Sequence, residues 1–469
     1  MIVMKIGIAC GGTGGHIFPG LAVAEELRRR GHAVVLWLAG KPGEDLALAG
    51  WNGPIVTVYA RGVSSHAPRA MIATCFRLAR AVLQCRRSLK RFSPDVLLAM
   101  GSYASVGPVL AARWLNIPVV LHEANVIPGR AIRFLGRWAE AVAVGFEETR
   151  SHLAHRRLVV TGMPVREGGE RRAEGGERRA EGGERRTESG ERRTESGERK
   201  AESGERRAES GERKAESGEW RAESGERLAD DGRRMKPTPN IECKTEECKR
   251  PQSEIGNQQS EIKNQKSEIS WGALAPTVFT LLVMGGSRGA HRLNEVASQA
   301  IVRLHCEGNS LQAIHLAGPA DEGAIRQVYR QAGVPHAVFG FLHEMPRAYR
   351  QSSLAICRSG ASTCAELSCY GTPALLVPYP FAIHQHQAAN ADALAASGSA
   401  DICDEQILTV DWLVGYVAGL MRDPARLAHM RAAALRRVTN DPASALADLV
   451  EEVGNRTTDG RRRTTGAGL

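Results

Sequence analysis

The sequence predicts an α/β protein of two doubly wound domains facing a cleft, with a long low-complexity insert between them. Three observations lead there. An apolar strand, a glycine loop and a helix open the chain, and the same succession returns at about residue 277. Each opening is followed by further short apolar runs that close on small or polar residues. A repetitive polar tract separates the two halves.

In the first half, Ile2–Ala9 reads as a strand and Gly11-Gly12-Thr13-Gly14-Gly15-His16 as a loop. A helix is expected from about Pro19 to Arg30, with Leu21, Ala24 and Leu27 on one side and Gly31 as its stop. Ala33–Leu38, Val96–Met100, Val119–His122, Ala141–Val144 and Leu158–Thr161 read as strands. In the second half, strand Thr277–Met284 precedes the loop Gly285-Gly286-Ser287-Arg288-Gly289-Ala290. The helix after it carries Leu293, Val296, Ala297, Ala300, Ile301 and Leu304 on one stripe. Gln312–Leu316, Ala337–Phe339, Leu354–Cys357 and Ala374–Val377 are the remaining expected strands. Strand–helix alternation of this kind gives parallel, Rossmann-like sheets with right-handed crossovers.

Residues 167–229 are nine copies of a seven-residue unit, from EGGERRA to ESGERLA. Only Ala recurs as an apolar residue and every copy holds Gly, so neither a coiled coil nor a stable helix is expected. Residues 253–270 repeat SEI-containing units in the same style. We read 1–166 as an N-terminal domain, 167–275 as a disordered insert, 276–455 as a C-terminal domain whose last helix returns to the first, and 456–469 as a disordered tail.

The 469 residues carry 62 Lys and Arg against 52 Asp and Glu, net +10, and the insert is close to neutral, so the excess positive charge belongs to the folded halves. Aromatic residues are only 5%, low for an all-β protein. No run approaches the roughly 18 apolar residues of a membrane-spanning helix. The start of the chain reads as a strand rather than a secretory leader. Ten scattered cysteines fit a reduced, cytosolic chain. Cys243 and Cys248 lack a second ligand pair and are not counted as a zinc site.

Neither glycine loop has the GxGxxG spacing of a dinucleotide fingerprint, and no Walker motif occurs. Glycines still let backbone approach a ligand closely, and the following helix offers free N–H groups to phosphate. Two such loops point to a diphosphate or to two phosphorylated ligands. Glu366, in Arg358-Ser359-Gly360-Ala361-Ser362-Thr363-Cys364-Ala365-Glu366, reads either as the partner of Thr363 in a capping box or as an acceptor for two ribose hydroxyls.

The segments GGTGGHIFPGLAVAEEL, MGSYASVGP, PVVLHEANVIPGR, TGMPVR, LLVMGGSRGAHRLN, CRSGASTCAEL and GTPALLVPYP…HQHQAANA follow one another in this order. Together they resemble the MurG family of peptidoglycan synthesis over about three quarters of the chain. The resemblance implies the two-domain glycosyltransferase B fold. It also implies inverting transfer of N-acetylglucosamine from UDP to the C4 hydroxyl of lipid I, giving lipid II. It places Thr13, Gly14, Gly15 and Asn125 at the site from the first domain. Arg166, Ser287, Leu342, Ala361, Ser362, Thr363, Cys364, Ala365, Glu366 and Gln387 come from the second domain and its approach. Ser287 would hold the diphosphate, Glu366 the ribose, Gln387 the sugar hydroxyls, and Leu342 would sit by the uracil. The chain has HEAN where the family usually has HEQN. Its HQ motif has two registers, His384-Gln385 and His386-Gln387, and spacing to Asn390 favours the second. The insert directly follows Arg166.

Inverting transfer to a hydroxyl needs one base and a stabilised leaving group. His16 is the candidate base and Glu123 the alternative; His122 and Glu123 also read as residues that orient the HEAN loop. No Asp-x-Asp motif stands in a suitable place, and neither metal nor cofactor is expected. Pro68 to Phe92 holds seven basic residues, all within 69–91, and no acidic one, interspersed with Met71, Ile72, Phe76, Leu78, Val82 and Leu83. Such a helix fits an anionic membrane surface, which would place the protein on the cytoplasmic face of the plasma (inner) membrane. Other cell-wall synthesis proteins are further expected partners. Nucleic acid is not, because no stacking aromatics are interleaved.

Overall fold

Two all-parallel sheets carry the chain in this computed structural model. It describes residues 3–11, 14–40, 44, 48, 51–58, 68–165, 271, 274–286, 290–342, 344–382, 385–438 and 441–465, without the side chains of 68–75 and 457–465. The heptad repeats, Cys243, Cys248, Thr13, Arg166, Ser287 and His384 lie outside the described residues. Both sheets belong to one compact unit, residues 1–170 with 270–469.

The first sheet contains β1 (Lys5–Ala9), β2 (Ala33–Leu38), β3 (Ile55–Thr57), β4 (Val96–Ala99), β5 (Val119–Glu123), β6 (Ala141–Val144) and β7 (Leu158–Val160). Their spatial order is β3-β2-β1-β4-β5-β6-β7. Ile6 of β1 lies opposite Val34 on one side and Val96 on the other. Because successive side chains alternate across a strand, Ile6, Ile8, Leu36 and Leu98 enter one apolar layer while Ala9, Trp37, Leu97 and Ala99 enter the other. Helix α1 (Gly14–Arg29) covers the first layer. Helices α2 (Pro68–Phe92), α3 (Val106–Trp114) and α4 (Arg130–Leu135) cover the second through Ala81, Cys85, Leu89, Val109 and Ile132.

The second sheet holds β8 (Phe279–Met284), β9 (Leu311–Leu316), β10 (His336–Phe339), β11 (Leu354–Cys357), β12 (Ala374–Leu376) and β13 (Ala400–Ile402). Its order is β10-β9-β8-β11-β12-β13. Helices α5 (His291–Cys306) and α6 (Glu322–Gln331) pack on one face together with α10 (Val410–Met421). The other face receives α7 (Met345–Gln351), α8 (Ala361–Tyr370) and α9 (His386–Ala396). Helix α11 (Pro424–Arg436) packs on α8 and α10. It starts with Asp423 accepting from the Arg426 N–H, an N-cap with Pro at the first helical position.

The last helix, α12 (Pro442–Thr465), crosses back to the first sheet. Leu446, Ala447, Val450 and Val453 join the apolar layer of Met4, Ile6 and Ile8. Arg30 pairs with Asp448 at 2.5 Å and with Glu451 at 3.2 Å. The fully buried His32 accepts the Met4 N–H at Nδ1, so Nε2 carries the proton that reaches Glu451 at 2.9 Å. This helix corrects one expectation. It runs to Thr465, ten residues past the boundary expected at 455, where NRTTDGRRRTT shows no apolar stripe. The turns already docked on β1 nucleate it, and propagation costs far less than nucleation.

Two strands escaped the sequence reading, β3 and β13, each three residues long at a sheet edge. The cysteines whose side chains are described are free, and all of them but Cys306 are buried.

Candidate active site

In a doubly wound sheet the loops after two neighbouring central strands turn to opposite faces and leave a crevice at the strands' carboxyl ends. Here this happens after β1 and β4 in one sheet and after β8 and β11 in the other.

At the first crevice the chain leaves β1 through Cys10 and Gly11. A Cβ on Gly11 would lie 2.3 Å from the Ala39 backbone nitrogen, so only glycine permits the exit. Helix α1 then starts at Gly14, not near Pro19. Glycine is a poor helix former and Pro19 resembles a first-turn proline, which hid the true start. Contacts from the β4 loop hold that early turn. His16 Nδ1 lies 2.9 Å from the Met100 carbonyl, and the Ser102 hydroxyl donates to the Gly11 carbonyl at 2.7 Å. Ser105 donates to Gly101. A carbonyl only accepts, so the neutral His16 ring carries its proton on Nδ1 and presents Nε2 as the basic atom. Gly14 and Gly15 occupy the two helical positions before it.

One strand over, Glu123 is 4% exposed and fully occupied. Its Oε1 accepts from the Asn125 N–H at 2.9 Å and from the Asn125 amide at 3.1 Å, and its Oε2 accepts from the Gly129 N–H at 2.8 Å. Burial pushes its carboxyl above the ordinary range, opposed by those donors. Such a carboxylate shapes the Ala124–Gly129 loop. Burial also holds His122 near pKa 4, with Nε2 at the Gly162 carbonyl.

Asn125 is joined to the second half by a residue that the sequence reading used only to set a register. Asn390 on α9 is fully buried. Its Oδ1 accepts from the Val126 N–H at 3.0 Å, and its Nδ2 donates to Asn125 Oδ1 and to the Ser359 carbonyl at 3.2 and 3.1 Å. Ser359 in turn donates to the Gln387 carbonyl at 2.7 Å. Gln387 Oε1 accepts from the Tyr379 N–H at 2.9 Å, so its NH₂ is the end left to donate to a ligand. Helix α9 begins at His386.

At the second crevice, α8 starts at Ala361, directly after the β11 loop, with its first N–H groups uncapped by any side chain. The loop is braced by Arg358, which is 8% exposed, bonded to Glu405 at 2.5 Å and to the Val377 carbonyl at 3.2 Å. Its charge is spent inside the protein. Ser362 and Thr363 are partly exposed in the first turn, while Cys364 is buried. The capping-box reading of Glu366 fails. Glu366 is the sixth helical residue and accepts the Tyr349 hydroxyl at 2.6 Å. Tyr349 comes from a different helix, and a local pattern cannot show it. Burial pushes the Glu366 carboxyl up to about 7, against the pull of that hydroxyl. Leu342 is 4% exposed and packs in the core. The described contacts join Asn125 to Gln387 through Asn390 and Ser359.

Two family models match. The glycosyltransferase family 28 N-terminal domain covers residues 6–144, and the glycosyltransferase family 28 C-terminal domain covers 280–450. Curated relatives include proteins of Geobacter metallireducens and Rhizobium meliloti, both named UDP-N-acetylglucosamine--N-acetylmuramyl-(pentapeptide) pyrophosphoryl-undecaprenol N-acetylglucosamine transferase. The first is 28% identical over 95% of this chain and 97% of its own; the second is 29% identical over 98% of each. Among solved structures, Acinetobacter baumannii MurG superposes with a TM-score of 0.61 at 23% identity, covering 96% of this chain and 99% of its own. A UDP-GlcNAc 2-epimerase from Neisseria meningitidis gives 0.52 at 13%, covering 96% and 99%. At these identities the structures speak to the fold alone.

Asn390→Asp puts an oxygen where the amide donates to Asn125 and Ser359. Chemical denaturation should report a loss of about 1–3 kcal/mol. An unchanged midpoint would mean that the bridge contributes nothing.

Proposed function

The chain belongs to glycosyltransferase family 28, and we propose that it moves N-acetylglucosamine from UDP to the C4 hydroxyl of lipid I with inversion, giving lipid II. The structural observation that carries this reading is the second crevice. Helices α5 and α8 open at the carboxyl ends of the adjacent strands β8 and β11, and Glu366 stands in the second turn of α8. Helix starts favour anions, so the diphosphate lies across them, with Ser287, Ala361, Ser362 and Thr363 alongside. Glu366 accepts the ribose hydroxyls and Gln387 donates to the sugar. Leu342 contributes backbone beside the uracil, and Arg166 adds charge. Gly14, Gly15, Thr13 and Asn125 face the acceptor from the first half. The halves 1–166 and 276–455 divide the work as acceptor and donor domains.

In the reaction the C4 oxygen attacks the anomeric carbon of N-acetylglucosamine, the bond from that carbon to the β-phosphate oxygen breaks, and UDP leaves. The hydroxyl proton goes to His16 Nε2, the atom its Nδ1 contact with Met100 leaves basic. Glu123 is the weaker candidate because both its oxygens already accept backbone N–H groups.

The acceptor is a lipid, and the protein meets it at an anionic membrane surface on the cytoplasmic side. No helix among the described residues is long and apolar enough to cross a membrane. Supporting a peripheral contact, α2 buries Ala81, Cys85 and Leu89 and turns Phe76, Arg80, Leu83, Arg87 and Lys90 outward. Trp114 of the neighbouring α3 is 58% exposed beneath the guanidinium of Arg86. Pelleting with vesicles should be strong for phosphatidylglycerol, weak for phosphatidylcholine, and cut at least tenfold by Arg80→Glu with Arg87→Glu. Equal binding to both vesicle types would sink the surface assignment.

Purified protein given labelled UDP-N-acetylglucosamine and a lipid I analogue should form the disaccharide product, and no transfer would overturn the reading. His16→Ala should lower turnover by roughly 10²–10⁴ and remove a histidine-range limb from the pH profile. Retention of both would reassign His16 to positioning the acceptor.

Two ribose hydroxyls are accepted best by ionised Glu366, because protonation turns one carboxyl oxygen into a donor, and burial pushes its pKa up to about 7 in the empty site. Donor binding therefore releases a proton, and affinity should rise as pH increases from 6 to 8. For the empty fold the sign reverses, because a raised carboxyl pKa gives stability at low pH that is lost as pH passes about 7. Calorimetry with UDP-N-acetylglucosamine should show this slope in the wild type and a flat response in Glu366→Gln. A slope that survives the substitution belongs to another group.

A further inference from the structure

A second buried polar chain lies beside the start of α5, in the apolar layer formed by α5, α6 and α10. Tyr329, His315 and Asn294 have no exposed surface there. Tyr329 is on α6, His315 near the carboxyl end of β9, and Asn294 in the first turn of α5. Three polar side chains in an apolar layer are tolerated only if each is satisfied.

The bond directions follow from the partners. Asn294 Nδ2 donates to the Ala317 carbonyl and to Asp321 Oδ2, both at 2.8 Å, and both partners only accept. Asn294 Oδ1 is therefore the atom facing His315 Nε2 at 3.2 Å, and Nε2 carries the proton. Nδ1 is left as the acceptor of the Tyr329 hydroxyl at 2.8 Å. Protons thus point one way, from Tyr329 through His315 and Asn294 to Asp321. Burial keeps the ring neutral, with a pKa near 3. Asp321 stands at the N-cap of α6 but makes no side-chain cap there; it reaches across to α5, accepting from Asn294 and from His291 Nδ1 at 3.1 Å.

We propose that Asn294, oriented by Tyr329 and His315, is a positioning residue that fixes the start of α5 for the donor's diphosphate. This rests on the donor reading above. The Asn294 N–H bonds the Ala290 carbonyl as part of the helix itself, while its side-chain amide ties that first turn to the Ala317 carbonyl and Asp321, so the amide sets where the helix begins. A wrong tautomer at His315 would set two lone pairs against each other at Asn294 Oδ1. The amide would flip, and its bonds to Ala317 and Asp321 would be lost. The Tyr329 hydroxyl, which needs an acceptor at Nδ1, selects the right tautomer.

The test compares ligands with and without phosphates on the full-length protein. Tyr329→Phe and Asn294→Ala should each weaken UDP binding five- to fiftyfold while changing uridine binding less than twofold. In the transfer assay they should raise the KM for UDP-N-acetylglucosamine with kcat within about threefold. Ser298→Ala, one turn further along α5, should alter neither. Equal loss of UDP and uridine affinity, or unchanged UDP affinity in folded Asn294→Ala, overturns the proposal. If Asn294→Ala does not fold, Tyr329→Phe decides, since it removes one oxygen and leaves the ring packed. Wild-type protein that binds UDP but makes no product would defeat the transfer reading and leave this one standing. Wild-type protein that binds uridine and UDP alike would defeat the diphosphate site itself, and this proposal with it.

Discussion

Asn390 has no exposed surface, and each of its polar atoms ends on a group from a loop at the carboxyl end of a strand. A buried amide left without partners costs about 1–3 kcal/mol, so the bonds constrain both sides at once. Val126 and Asn125 on one side, and Ser359 on the other, are held to the length of a single side chain. Everything at the site inherits that registration. Glu123 shapes the loop that offers Val126, and Ser359 ties down Gln387. Arg358 and Glu405 brace the turn from which α8 departs.

The carboxylates of this protein divide by what they accept. Glu123 takes backbone N–H groups and Asp321 takes an amide and an imidazole, so both act as braces. Glu366 accepts one hydroxyl, which leaves capacity for more. Burial also moves its ionisation up to about 7. A carboxylate with an open oxygen and a poised charge suits ligand recognition; one with both oxygens filled suits architecture. His16 and His122 divide similarly, the first holding its tautomer through a carbonyl at the crevice and the second buried and neutral.

Much of the fold was legible because buried parallel strands leave strong local marks. Ala33–Leu38, Ala141–Val144 and Leu354–Cys357 have the bounds read from sequence. β3 and β13 are too short to mark themselves. The start of α1 was misplaced because glycine and proline describe local preference, whereas the turn is held by Met100 and Ser102 across separations of 84 and 91 residues. The same distance problem hid the partners of Glu366, Asn390 and Asn294. Their residue types were visible, but Tyr349, Val126 and His315 meet them only in three dimensions. Motif order located the crevices; it could not say which polar groups serve a ligand and which serve one another.

Helix α12 has a consequence for synthesis. It is made after both sheets, yet Leu446, Ala447, Val450 and Val453 complete the layer begun by Met4, Ile6 and Ile8, which are made before either sheet is complete. On the ribosome that face of the first sheet stays only partly covered, by α1, while the whole second half and the repeat tract are translated. At about 5–20 residues per second this is on the order of 15 to 60 s. During that interval apolar strands stand open to water and to neighbouring nascent chains. A premature stop between about 161 and 441 would release a chain whose first sheet is fully translated but lacks its α12 cover, a natural client for chaperones and proteases.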